Sequence, residues 1–267
     1  MLQITVPILY AAAAFLLLRS ANSGRVSDWP APPVGMALGV VALLLHSSLL
    51  ARAIFVDGTL ALGLGNVIGL IGWLTAILAL AGSAKPAMRG LTGILLVVAA
   101  LMSLGTALPV ATHFTRSMTW QLQAHVMMSM LAYSMIGIGA ALALLIAAQD
   151  KRLRQRRPTG WLRVLPPMET LEQSLFGALT IGFLLLTLAV FSGLIFVEDF
   201  FAQHLVHKSV LSILAWLIFA ILLAGRWRYG WRGKRAVHWT LVGFAILPLA
   251  YFGSKLVLEA MLGRQWG

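Results

Sequence analysis

Cysteine is absent from this 267-residue chain, and aspartate and glutamate together number only eight. Without cysteine there can be no disulfide, no thiolate metal ligand, no CxxC redox pair and no CxxCH attachment site for a covalently held haem. Charge of either sign is scarce too: 10% of residues are charged against 60% hydrophobic, and the mean hydropathy is +0.90. A soluble domain of that composition would expose a very large apolar surface, so the chain reads as an integral membrane protein. No long hydrophilic segment is present. The longest, about 149–167, is too short to build a core of its own, which leaves one transmembrane domain over 1–267 and no room for a soluble one. No internal repeat of fixed period is visible. The first apolar stretch has neither a basic flank before it nor a small-residue cleavage pattern after it, so it is expected to be a retained helix rather than a removed signal.

What is present is a series of apolar stretches of spanning or near-spanning length. They fall at about 4–18, 34–51, 60–82, 90–110, 122–148, 172–197, 208–225 and 238–260. The expected fold is therefore all-α, a polytopic bundle of about eight transmembrane helices. The net charge of +12 could point to nucleic acid, but its placement points to a bilayer instead. Fifteen of the twenty Lys and Arg fall in alternate loops: Arg19 and Arg25; Lys85 and Arg89; Lys151, Arg152, Arg154, Arg156, Arg157 and Arg163; Arg226, Arg228, Arg232, Lys234 and Arg235. The other loops and the C-terminal end hold only Arg52, Arg116, Lys208, Lys255 and Arg264. Basic loops stay on the cytoplasmic side, which puts both termini outside. Trp161, Trp227, Trp231 and Trp239 fall where an interfacial aromatic belt on that cytoplasmic side belongs.

On this topology five of the six histidines gather at the outer end: His46, His113, His125, His204 and His207, with His238 alone on the cytoplasmic side. An interfacial histidine is ordinarily a hydrogen-bonded residue with no further role, and His113 and His238 read that way. His46 differs, because it sits inside a span in the run Leu44, Leu45, His46, Ser47, Ser48, where a neutral imidazole needs a partner. A metal centre shared with His125, at the outer start of the fifth span, would supply one. Haem iron accepts imidazoles from two helices, and its propionates want cations such as Arg52 and Arg116 at the aqueous edge. Zinc is the competing reading, from Glu198, Asp199, His204 and His207; a solvated acidic loop before a helix start explains the same residues without a metal.

Particular segments carry a family resemblance. The run from His125 through Ser129 and Tyr133 resembles the His-x-x-x-Ser-x-x-x-Tyr helix of the cytochrome c assembly membrane proteins (CcsA, CcmC and HemX-like). The segment from Leu179, Thr180, Ile181 and Gly182 to Ser192, Gly193, Leu194, Ile195 and Phe196 is similar to the next helix of that family. So is Gly230, Trp231, Arg232, Gly233, Lys234, Arg235, followed by a helix with Gly243, Phe244, Tyr251, Phe252 and Gly253. Together these cover roughly 120–260. The His46 helix, the Asp57 and Gly58 loop and the Asn66 helix resemble the compact YpjD-type subgroup, described as inner-membrane proteins.

The resemblance implies a haem-handling protein of the bacterial inner membrane that presents haem, or regulates its supply, at the outer face. It implies non-covalent haem b, with His125 and His46 as iron ligands. Arg52, Arg116, His204 and His207 are further cofactor-binding candidates, and partners are expected among cytochrome c maturation or haem-supply membrane proteins, with the lipid bilayer and not nucleic acid as the surroundings. One departure matters. The family's synthases carry a tryptophan-rich WWD loop, and the corresponding stretch here reads Val197, Glu198, Asp199, Phe200, Phe201, Ala202, Gln203, His204. Without tryptophan, the chain is expected not to be an enzyme that attaches haem. Two other classes compete: a membrane transporter, for which only Lys255 and Glu259 offer an intramembrane pair, and a regulatory anchor holding cytoplasmic partners through its basic loops.

Overall fold

The structure, a computed structural model, describes residues 2–22, 31–56, 59–60, 64–83, 88–108, 119–155, 165–196 and 206–249. Among these lie eight α-helices: α1 Leu2–Asn22, α2 Ala31–Ile54, α3 Leu64–Gly82, α4 Arg89–Ser103, α5 Trp120–Arg154, α6 Met168–Phe196, α7 Val206–Tyr229 and α8 Lys234–Pro248. The first seven are long and apolar enough to cross a membrane, α4 by continuing into a 3-10 turn over Leu104–Ala107. A lipid core offers no water to backbone groups, so stretches this apolar must satisfy their N–H and C=O groups internally, which a helix does. The all-α bundle and its multi-pass character are therefore as expected. The one addition is a hairpin of two two-residue strands, β1 Phe55–Val56 and β2 Thr59–Leu60, paired antiparallel between α2 and α3.

Two boundaries differ from the sequence expectation, each for a physical reason. Helix α5 runs on through Lys151, Arg152 and Arg154, which the charge pattern assigned to a loop. Lys and Arg are good helix formers, and cations at a helix C-terminus oppose the macrodipole favourably. Helix α8 starts at Lys234 rather than near 238 because Gly230 and Gly233 both take positive φ, 64° and 58°, and complete the turn from α7 in four residues.

The chain forms two compact units: residues 1–118 with 152–170, and residues 119–151 with 171–267. In the first, α1 to α4 alternate in direction. The start of α1 meets the end of α4 through Gln3, whose Nε2 donates to the Thr106 carbonyl at 3.2 Å, while Thr92 at the start of α4 donates to Ala79 near the end of α3 at 3.0 Å. Gly65 and Gly69 of α3, four residues apart, lie at a helix contact: Gly65 abuts the backbone of Gly105, and a Cβ on Gly105 would fall 2.8 Å from the Gly65 carbonyl oxygen. In the second unit α5 and α6 run antiparallel in one register, with His125 opposite Ser192, Ile136 opposite Gly182 and Gly139 opposite Leu179. A Cβ on Gly182 would fall 2.8 Å from Ile136 Cγ1, so glycine sets how closely these two helices pack. Helix α7 follows through Trp216, whose ring stacks on Phe183 and whose Nε1 donates to Thr187 Oγ1 at 2.9 Å, and Phe219 of α7 packs on Gly243 of α8.

At the end of the second unit away from His125, Glu172 in the first turns of α6 is buried and joins the α7–α8 turn. Its Oε2 accepts from Arg232 Nε and its Oε1 from the Gly233 N–H, both at 2.8 Å. The turn's Trp231 lies against Gly225, where a Cβ would fall 2.5 Å from the indole, and its ring is tilted 36° to that of Trp239, with Arg235 over its face. Of the basic residues and tryptophans that the sequence grouped together, Arg226, Arg228, Arg232, Lys234, Arg235, Trp227, Trp231 and Trp239 share this end of the unit, while Trp161, Arg156, Arg157 and Arg163 lie outside the described residues.

Candidate haem-ligating histidines

His46 lies in α2, eight residues before its end, or about 12 Å along the helix axis. It is completely buried. Its Nδ1 faces the Tyr10 hydroxyl of α1 at 3.4 Å, with the rings edge to face at a centroid distance of 5.8 Å. Its Nε2 has no partner among the described residues. A buried polar atom left unpaired costs on the order of 1–3 kcal/mol, so its presence calls for a reason, and a missing ligand is one. The neighbourhood is otherwise tightly closed. A Cβ placed on Gly69 of α3 would fall 3.9 Å from Nε2, 2.5 Å from the Thr106 methyl and 3.2 Å from Leu50 Cδ2. The nitrogen therefore has the donor chemistry for a metal, and admitting a macrocycle requires Thr106 and Leu50 to turn aside.

The polar groups around His46 are all spoken for. Trp73 Nε1 donates to Ser47 Oγ at 2.7 Å, Ser47 Oγ donates to the Leu43 carbonyl at 2.8 Å, Asn66 Nδ2 donates to the Ala53 carbonyl at 2.9 Å, and Thr106 Oγ1 donates to the Ser103 carbonyl at 2.8 Å. The Trp73–Ser47 and Asn66–Ala53 bonds tie α3 to α2, and none of the four donors pairs with His46 Nε2.

His125 lies in the second unit, near the start of α5, and is half-buried. Its Nδ1 is 2.9 Å from Ser192 Oγ of α6, and Ser129, one turn later, donates to the His125 carbonyl at 2.8 Å. The ring also engages the backbone of Ala189 in α6, and Nε2 is the nitrogen not paired with Ser192. An imidazole held by a hydrogen bond at one nitrogen is the arrangement that metal-ligating histidines adopt, so His125 fits haem iron by its chemistry.

The remaining sequence candidates fall out as follows. Arg52 is exposed in the last turn of α2, six residues past His46. His238 is exposed near the start of α8, at the basic end of its unit. His113, Arg116, Asp57, Glu198, Asp199, His204, Lys255 and Glu259 lie outside the described residues, and of His207 only the backbone, in the first turn of α7, is described. Among the described residues no three His, Asp or Glu side chains come close enough together to hold a metal ion. Sequence reasoning missed Tyr10 and Gly69 as neighbours of His46, and Ser192 as the partner of His125. A tyrosine in mid-span is a signal in itself, since its hydroxyl needs a partner there; Gly69 and Ser192 carry no such mark.

The sequence matches the family described as "Cytochrome C assembly protein" over residues 34–262. The chain belongs to the cytochrome c assembly protein family. The match takes in helices of both units and extends well upstream of the 120–260 region that carried the clearest motifs, reaching α2 and His46. Among curated relatives, the chain is 36% identical over 135 residues to the "Inner membrane protein YpjD" of Escherichia coli K12, covering 51% of each chain. It is 30% identical over 142 residues to an uncharacterized 28.8 kDa protein of Azospirillum brasilense, covering 52% of each. It is 26% identical over 142 residues to the cytochrome c biogenesis protein CcsA of Chlamydomonas reinhardtii, covering 52% of this chain and 39% of that one. The chain thus aligns with about half the length of the curated relatives it matches. No solved structure matches.

Proposed function

We propose that this member of the cytochrome c assembly family is a haem-handling protein of the bacterial inner membrane that binds haem b non-covalently and presents it, or regulates its supply, at the outer face. His125 and His46 are the imidazoles it offers to haem iron. The observation that carries the reading is the Nε2 of His46: a fully buried nitrogen without a partner among the described residues, inside a membrane span, in a family that assembles cytochrome c. Haem supplies an iron that accepts such nitrogens and vinyl groups that cytochrome thiols can take up. The chain's own residues do the rest: Ser192 holds the His125 ring, Tyr10 borders His46, and Arg52, with Arg116, offers cations for propionates. The inner-membrane location follows the YpjD relative's printed name. The stretch 197–204 carries no tryptophan, so haem attachment itself is left to another protein.

The test is the absorption spectrum of purified protein, wild type against His46→Ala, His125→Ala and His238→Ala. A Soret band is expected in the wild type; each of the first two substitutions should lower haem content or change the spectrum, and the third should do neither. The same protein, expressed in cells stripped of their own maturation system, should yield no covalently haem-stained cytochrome. A wild type without bound haem, or spectra unchanged in both His46→Ala and His125→Ala, would refute the reading of these two residues. Covalently stained cytochrome would restore the synthase activity.

A further inference from the structure

We propose that Ser192 is the positioning residue of the His125 site, holding the imidazole in the tautomer whose Nε2 carries the lone pair. The inference rests on the reading of His125 as a haem ligand. Ser192 is buried in α6, one turn from the helix end, and has a single hydroxyl proton. That proton is engaged: Ser192 Oγ donates to the carbonyl of Ala189 at 3.0 Å. With its proton directed at that carbonyl, the oxygen is placed to accept from His125 Nδ1–H, 2.9 Å away, and the Ala189 backbone, which also pairs with the His125 ring, joins it in holding the imidazole. A neutral imidazole protonated at Nδ1 has its basic lone pair at Nε2, the nitrogen not paired with Ser192. The relay from Ala189 carbonyl to Ser192 hydroxyl to imidazole thus fixes both which nitrogen can bind a metal and the plane of the ring. His46 lacks this constraint, since the Tyr10 hydroxyl, 3.4 Å from its Nδ1, has no other partner among the described residues and can act in either direction.

A hydrogen bond from Nδ1–H to an oxygen also makes the ring a stronger donor to iron, and loss of such a partner typically weakens metal binding by about 10–100-fold. Two measurements test the proposal. The first needs no variant: the nitrogen chemical shifts of 15N-histidine-labelled, haem-free protein, with His125 assigned by its loss in His125→Ala, should show His125 protonated at Nδ1. Protonation at Nε2 would overturn the proposal. The second is haem titration and redox potentiometry of purified wild type, Ser192→Ala, Ser192→Thr and His125→Ala. Ser192→Ala is expected to bind haem roughly 10–100-fold more weakly and at a raised reduction potential, with Ser192→Thr, which keeps a hydroxyl, close to wild type in potential. If His125→Ala abolishes the haem signal while Ser192→Ala matches the wild type, Ser192 does not position the ligand and His125 remains one. Equal disturbance by Ala and Thr would make Ser192 a packing residue only and overturn the proposal in the same way. If His125→Ala binds haem as the wild type does, the underlying reading of His125 fails, and the proposal with it.

Discussion

Adding one methyl group at Gly69 separates the packing around His46 from its chemistry. A Cβ there would sit 2.5 Å from the Thr106 methyl and 3.2 Å from Leu50 Cδ2, well inside van der Waals contact, and 3.9 Å from the unpartnered Nε2. Thr106 and Leu50 must give way. Overpacking of this kind costs about 1–3 kcal/mol, and here the methyl also occupies the space beside the one nitrogen of His46 able to take a ligand. Gly72, less than one turn further along α3, provides the matched control. A Cβ on it would fall 2.8 Å from Met102 Cβ and 3.2 Å from the Ala99 carbonyl, with His46 not among its nearest contacts. Gly69→Ala and Gly72→Ala are therefore expected to lower thermal stability in detergent by similar amounts, while only Gly69→Ala lowers haem content or shifts the spectrum toward five-coordinate iron. The assay is haem per mole of protein measured alongside the unfolding midpoint. Equal loss of haem in both variants would show that haem retention follows general packing of α3 against α4. Normal haem in a destabilised Gly69→Ala would show that the space beside Nε2 is not where a ligand binds.

Two further predictions address topology and the turn at the basic end of the second unit. Because the chain has no cysteine, a single Cys introduced near Glu198 should react with a membrane-impermeant thiol reagent in intact cells and one near Gln155 should not; the reverse pattern would invert the orientation and move the basic loops outside. Glu172→Ala should cost about 2–3 kcal/mol, most of it from the Gly233 N–H left without its acceptor, since the partner Arg232 is half-exposed and its ion pair adds about 1 kcal/mol at most. Glu172→Gln keeps an acceptor for that N–H and should cost about half as much; equal losses for the two in thermal unfolding would put the larger share on the charge.

The helices were legible because lipid enforces a simple code: long apolar runs punctuated by basic residues leave little freedom in the number of crossings. His46 was legible for the same reason, as an imidazole among leucines. What the sequence concealed were matters of register. Tyr10 is thirty-six residues from His46 and Ser192 sixty-seven from His125, and no local pattern connects members of such pairs. The limits of α5 and α8 were missed because a charge pattern marks where the bilayer ends, whereas a helix ends where its backbone turns, at Gly230 and Gly233 in the case of α7 and α8. The hairpin at Phe55–Val56 and Thr59–Leu60 did have a local mark, the Asp57–Gly58 dipeptide, but strands of two residues are too short to show an alternating pattern.

The shared register of α5 and α6 limits how this protein can vary in length. His125 faces Ser192, Ile136 faces Gly182 and Gly139 faces Leu179, so the two helices are locked together like the teeth of a rack. Residues can be gained or lost in the connector between them without disturbing that alignment. Deleting one residue of α5 between His125 and Ile136 would instead swing the imidazole about 100° around the helix and slide it about 1.5 Å along the axis, away from the serine. Related chains that keep this site are thus free to differ in the length of that connector, while the spacing from histidine to glycine-lined contact stays constant.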